Sequence, residues 1–189
     1  MGLTPLEGLP GATRSGSLDP SLIFHYTSHA TKLSQSSTTK LHITTAEETL
    51  NKKSGWKALT GTTDFGLVTK RASEGDEMAK LAVDIMVDRV VGYIGSYWVK
   101  LRGEVDAVVF AGGIGEKGRE FRRAVGEGVR CLGVEVDEGR NDRVGEDKGD
   151  VVEISGKGGK TKVLVVRTDE QVEMARECLQ VEGIWKGYT

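Results

Sequence analysis

A short apolar, β-branched run that stops at a cluster of glycines constrains this chain more than any other feature. Residues 105–123 read VDAVVFAGGIGEKGREFRR, and Val105, Val108, Val109 and Phe110 suit a buried strand that breaks at Gly112-Gly113. Glycines recur at Gly115 and Gly118, after which an amphipathic helix is expected. Strand, glycine turn and helix N-terminus in that order make a site for anions. Glycine lets backbone approach a ligand closely, and the first N–H groups of the helix point outward. A phosphate-bearing ligand is the first expectation; the plainer reading is a turn that merely reverses the chain, although four glycines in residues 112–118 exceed what a reversal needs. The spacing Gly113-x-Gly115-x-x-Gly118 also meets the dinucleotide-binding fingerprint, with Asp137 at about the ~20-residue offset where a ribose-binding acid is wanted. The turn alone leaves an oxidoreductase and a kinase both open.

With 189 residues, the chain suffices for one full domain and not for two large ones. A hydrophobic share of 38%, a charged share of 29% and a net charge of −2 describe a globular protein and give no basis for nucleic-acid binding. No apolar run approaches the ~20 residues of a membrane span, and the first residues lack the pattern of a signal peptide. No nucleic-acid or membrane partner is expected, and the cytoplasm is the expected compartment. Cys131 and Cys178 fall in apolar-patterned helical stretches and are expected as reduced thiols in a core.

Along the chain, Leu3, Leu6 and Leu9 place an irregular N-terminal loop on a core, and Arg14 sits in a Thr-Arg-Ser-Gly turn. A guanidinium held this way suits either a phosphate or carboxylate ligand or an ordinary surface salt bridge. Asp19-Pro20 opens a short helix, His25 and His29 read as surface histidines, and residues 28–39 as an exposed loop. Thr45-x-x-Glu48 is read as a capping box for a helix ending at Gly55, and residues 56–68 as extended pieces about a polar turn. From Ser73, read as an N-cap, to Leu101, apolar residues recur at three and four, predicting one long helix with its whole apolar stripe buried. A helix near residues 119–131, with its arginines solvated, is followed by a strand at 133–137 and a charged loop. Strands at 151–154 and 162–166 follow, joined by a Lys/Gly hairpin tip. The last element is a helix from Thr168 to Val181 with Val172, Met174, Ala175, Cys178, Leu179 and Val181 on its apolar side. The order of elements is α/β.

Three separated pieces, LTPLEGLPGATRSGSLDP, DAVVFAGGIGE with LGVEVDEGRN, and VVRTDEQVEMAR, resemble the C-terminal part of acetate kinase, in that family's order and with the long helix between them. The resemblance implies an actin-like ATPase or ribonuclease H-like domain of the sugar-kinase-like superfamily, spanning residues 1–189 as a C-terminal nucleotide-binding domain. It implies transfer of the ATP γ-phosphoryl group to acetate with Mg²⁺, giving acetyl phosphate and ADP, and a homodimer. By the same resemblance Arg14 matches the transition-state arginine, and Asp64, Phe65 and Gly66 the adenosine contacts. Gly113, Ile114, Gly115, Glu116 and Lys117 match the second nucleotide loop, and Glu170 the metal-associated carboxylate. The family usually has Arg at the position of Gly66, Asn at Lys117 and Asp at Ser17. Its N-terminal half, with the first phosphate loop and the acetate site, has no counterpart here, so the chain reads as a truncated product, a split gene or an incomplete gene model with weak activity or none. A dinucleotide-binding oxidoreductase domain and a non-catalytic dimerisation module are the alternatives.

Overall fold

The computed structural model of the protein describes Thr4, residues 6–26 and residues 31–181. Leu3 and His29 lie outside the described residues, as does the side chain of His25. The N-terminal loop is closed on itself, since the Gly8 N–H donates to Ser17 Oγ at 2.8 Å and the Ser17 N–H to the Gly8 carbonyl at 3.0 Å. It lies less deeply than its leucines suggested: Leu6 is half-buried and Leu9 exposed. Helix α1 (Ser21–Tyr26) follows, capped by Asp19, whose Oδ1 accepts the Ser21 N–H.

Helix α2 (Thr45–Lys52) is capped by Thr44 rather than Thr45: Thr44 Oγ1 accepts the Glu47 N–H at 3.1 Å, while Thr45 Oγ1 donates to the Lys32 carbonyl. Glu48 does not reach back to the cap; it accepts from Ser34 Oγ and pairs with Lys53 at 3.3 Å. Residues 56–60 and 65–68, read as extended pieces, are helical, while residues 61–64 between them form the expected polar turn. The helical residues belong to α3 (Gly55–Thr60) and α4 (Phe65–Ser73), so Gly55 opens a helix instead of ending one. Neither is long enough to display a period, and their ends are set by Gly61 in the left-handed region and by Asp64, which accepts the Gly66 and Leu67 N–H groups at 2.8 and 3.2 Å.

The long helix is α5 (Glu77–Lys100), about 36 Å of helix for 24 residues at ~1.5 Å each. Its cap is Asp76, not Ser73, which ends α4. Ala79, Ala82 and Met86 are its buried residues; Met78, Leu81, Ile85, Tyr97 and Leu101, expected inside, are exposed, because α3, α4 and the next helices cover only part of its surface.

Strands β1 (Ala107–Phe110), β2 (Val151–Glu153) and β3 (Lys162–Val166) form one sheet in the order β1-β3-β2, with β3 parallel to β1 and antiparallel to β2. Lying at an edge, β1 is only partly buried: Phe110 is inside, while Val109 is 52% exposed. The glycine segment after β1 is itself helical, as α6 (Gly112–Lys117), and α7 (Arg119–Gly128) packs on α5. Residues 133–137, read as a strand, make isolated bridges from Val134 to Thr161 and from Val136 to Ser155. The expected charged loop begins as α8 (Glu138–Asp142), with Asp137 as its cap.

Helix α9 (Glu170–Gln180) has no buried residue, contrary to the apolar side its pattern promised. Cys131 and Cys178 are both exposed, so the reading as core thiols is corrected as well. The core itself is Phe65, Met86, Phe110, Phe121, Val125 and the inward valines of β2 and β3, closed below by Ile154.

Candidate functional site

Three of the four glycines after β1 are explained by the chain's own packing. Gly112 has φ +70°, a left-handed conformation that turns the chain from strand into helix. A Cβ on Gly115 would lie 3.1 Å from the Phe110 carbonyl carbon, and one on Gly118 would lie 2.5 Å from the Ile114 carbonyl oxygen. At Gly113 a Cβ would meet nothing within 4 Å, and the residue is exposed. Its missing side chain therefore leaves bare backbone open to approach from outside.

Two side chains hold this turn. Arg122, expected among the solvated arginines of α7, is 2% exposed. Its Nη1 donates to the carbonyls of Gly115 and Glu116, both at 2.8 Å, and its Nε and Nη2 donate to Asn141 Oδ1 at 2.7 Å and the Asn141 carbonyl at 3.1 Å. Asn141, also buried, donates through Nδ2 to the Arg119 carbonyl at 3.0 Å. Burial pushes the guanidinium below its usual value, with the Asp142 charge working the other way. The sequence did carry a signal for this residue. Arg122 stands three before Val125 and seven before Val129, on the buried stripe of its helix.

The second holder is Glu116. Its Oε1 accepts the Gly112 N–H at 3.1 Å, the Thr168 N–H at 3.0 Å and the Thr168 hydroxyl at 3.1 Å. The Thr168 N–H, above all, keeps the Glu116 carboxyl below the usual carboxylate range, against a smaller effect of burial. Thr168 precedes Asp169, whose Oδ1 caps α9 by accepting from Gln171 and Val172, and Glu170 is the first residue of α9, exposed. The glycine turn and the start of α9 are thus joined across 52 residues of sequence.

The other expected residues fall on two further elements. Asp64 and Gly66 are exposed at the start of α4, which lies against α6, with the Asp64 carboxylate engaged as the helix cap. Phe65 is in the core, its ring 5.0 Å from Trp56 and 5.8 Å from Phe121, so its side chain is a packing element. Ile114 packs against the core, and Lys117 is exposed. Arg14 stands on the N-terminal loop, apart from this group. The carbonyls of Gly11, Ala12 and Thr13 accept the N–H groups of Trp56, Lys57 and Ser54, and the Ser15 N–H donates to Leu50, which fixes the loop on α2 and α3. The Arg14 guanidinium is exposed and makes no hydrogen bond or ion pair among the described residues.

Asp137 spends its carboxylate on the Arg140 N–H at 2.9 Å as the cap of α8, and β2 runs antiparallel, which removes the support for a dinucleotide fold. The parallel pair β1 and β3, with a glycine helix at the end of β1 and carboxylates at the starts of α4 and α9, belongs to the actin-like ATPase fold of the kind found in acetate and propionate kinases. Residues 1–176 match the family model of the acetokinase family, and the chain belongs to that family. A probable acetate kinase from Emericella nidulans is 57% identical over 98% of this chain and 44% of its own length. The crystal structure of a propionate kinase from Francisella tularensis superimposes with a TM-score of 0.76 at 33% identity, covering 94% of this chain and 42% of that one. The acetate kinase of Porphyromonas gingivalis gives 0.76 at 30% identity over 96% and 42%. The chain spans under half the length of these relatives.

Proposed function

We propose that this chain is the nucleotide-binding, C-terminal part of an acetate kinase, which transfers the γ-phosphoryl group of ATP to the carboxylate of acetate. The observation that carries this is Gly113, whose bare, exposed backbone on a clamped glycine helix serves no packing need of the chain and suits close approach of phosphate. In this reading the loop of Gly113, Ile114, Gly115, Glu116 and Lys117 would meet the phosphates through the exposed backbone at Gly113 and Lys117, with Gly115 buried behind, and Asp64, Phe65 and Gly66 would contribute the start of α4 on the adenosine side, Phe65 through its backbone.

Phosphoryl transfer is chiefly positioning and neutralisation of charge on the equatorial oxygens. Arg14 supplies an exposed guanidinium that makes no hydrogen bond or ion pair among the described residues. The chemistry of the donors fits Mg²⁺: Glu170 presents an exposed, hard carboxylate, and no three His, Cys, Asp or Glu side chains cluster among the described residues, so the ion would rest on Glu170, phosphate oxygens and water. Bound there, Mg²⁺ would offset charge on the transferring phosphoryl group. The acceptor site belongs, in this reading, to the half of the family's length that this chain does not span, and turnover by the chain alone is expected to be weak or absent, since half a cleft cannot close around the reacting groups.

Isothermal titration with Mg·ATP tests the reading. Binding by the chain is expected, with Gly113→Val abolishing it while leaving the fold intact, because the added side chain meets open space. A folded chain whose Mg·ATP affinity is unmoved by Gly113→Val would overturn it. Arg14→Ala is expected to leave nucleotide binding nearly unchanged and to remove whatever acetyl-phosphate formation a hydroxamate assay detects.

A further inference from the structure

Resting on the nucleotide reading above, we propose that Glu116 is a positioning residue that fastens the glycine helix to the start of α9 and so sets where Glu170 stands relative to the phosphates. Glu116 touches three segments at once. Its carbonyl accepts from Arg122, and a single carboxylate oxygen accepts from Gly112 within the turn and from both the backbone and the hydroxyl of Thr168.

Neither element joined in this way can hold itself. Helix α6 has six residues, below the length at which a helix outweighs its nucleation cost. Helix α9 buries none of its residues; the chain before it is held by strand β3 and by Arg167, which bonds to the carbonyls of Asp150, Val144 and Asp147, and at Thr168 itself by this carboxylate. Glu170 lies two residues beyond Thr168, and a shift of the Thr168 backbone carries it along.

A nucleotide-contacting role for the carboxylate itself is electrostatically poor, because a second anion beside a triphosphate repels it. Directed instead at two backbone amides and a hydroxyl, the charge is neutralised within the protein. The residue thereby serves the site without facing the ligand.

The test uses the purified chain with Glu116→Ala, Glu116→Gln and Thr168→Val, thermal melts confirming that each is folded. Hydrogen exchange is read over residues 112–117 and the first turn of α9 without ligand, and ATP affinity is read with Mg²⁺ and in chelator. Glu116→Ala is expected to speed exchange at both places and to weaken Mg·ATP binding by about tenfold or more, as loss of an orienting partner does at metal sites. Metal-free ATP affinity should move much less. Glu116→Gln should restore most of both, since its amide oxygen still accepts all three bonds, and Thr168→Val should fall between.

Unchanged exchange in Glu116→Ala would overturn the fastening role, and equal losses with and without Mg²⁺ would make Glu116 a direct nucleotide contact instead. If the wild-type chain binds no ATP in either condition, the nucleotide reading fails, and the service proposed for Glu116 fails with it. The exchange data would then show separately whether the fastening exists.

Discussion

Arg122 is an arginine buried among carbonyls and an amide, with no carboxylate hydrogen-bonded to it. Taking a guanidinium out of water is costly unless its donors find partners, and here four acceptors take four of its five N–H groups. Removing it leaves the Gly115 and Glu116 carbonyls and the Asn141 side chain without their donor, at roughly 1–3 kcal/mol for each buried group. Arg122→Ala is therefore expected to lower stability by about 3 kcal/mol or more in denaturant titration, and Arg122→Lys to recover only part, since an ammonium cannot span acceptors arranged for a planar fork. A loss under 1 kcal/mol, roughly the worth of one ordinary hydrogen bond, would show that the cage closes up around the gap. This scale is where sequence reading fared unevenly. The glycines, Glu170 and Arg14 could be singled out from motif and resemblance. The partners of Arg122 and Glu116 could not, because Asn141 and Thr168 lie 19 and 52 residues away and no local pattern joins them.

Helices α3, α4 and α5 meet at one ion pair. Arg71 on α4 donates through Nε to Asp76 Oδ2 at 2.9 Å and through Nη1 to the Thr60 carbonyl at the end of α3 at 2.8 Å, while Asp76 caps α5. The Ala79 N–H, and then Arg71, hold the Asp76 carboxyl below its ordinary value. A carboxyl whose folded value is lowered contributes stability above its unfolded value and loses it as pH falls through the folded one. Asp76→Asn should thus melt a few degrees below wild type at neutral pH, with the gap closing below the usual carboxylate range; a gap that persists in acid would assign the effect to geometry instead of charge. The same junction explains what could be read at this scale. The 24 residues of α5 carry enough periods to declare a helix, although Ser73 and Asp76 are both credible caps and only the second lies next to Arg71. Helices α3 and α6, at six residues each, show no period, and their caps lie in neighbouring loops or carboxylates. For α9 the period was legible, but burial depends on a partner that no single helix encodes.

Across the molecule, apolar side chains of the described residues stand exposed on two faces. Leu9, Tyr97, Leu101 and Val109 are exposed around a groove of about 480 Å³ between α5 and the edge strand β1, and Val172, Met174, Leu179 and Val181 are exposed on α9. The outer edge of β1 is unpaired among the described residues, and such an edge beside an apolar groove invites strand pairing with another chain. A second copy of the chain supplies the same edge, so self-association is expected, visible as a sedimentation coefficient that rises with concentration. Val109→Lys puts a charge on the edge without touching a buried residue, since Val109 is 52% exposed. It should hold the chain monomeric at concentrations where wild type associates, with the melting temperature at low concentration nearly unchanged. Leu179→Glu on α9 should have the smaller effect, because that helix offers side chains but no free backbone hydrogen bonds. Loss of association with Leu179→Glu and not with Val109→Lys would move the contact to α9, and a chain that stays monomeric throughout would mean that the groove closes on the chain itself in solution.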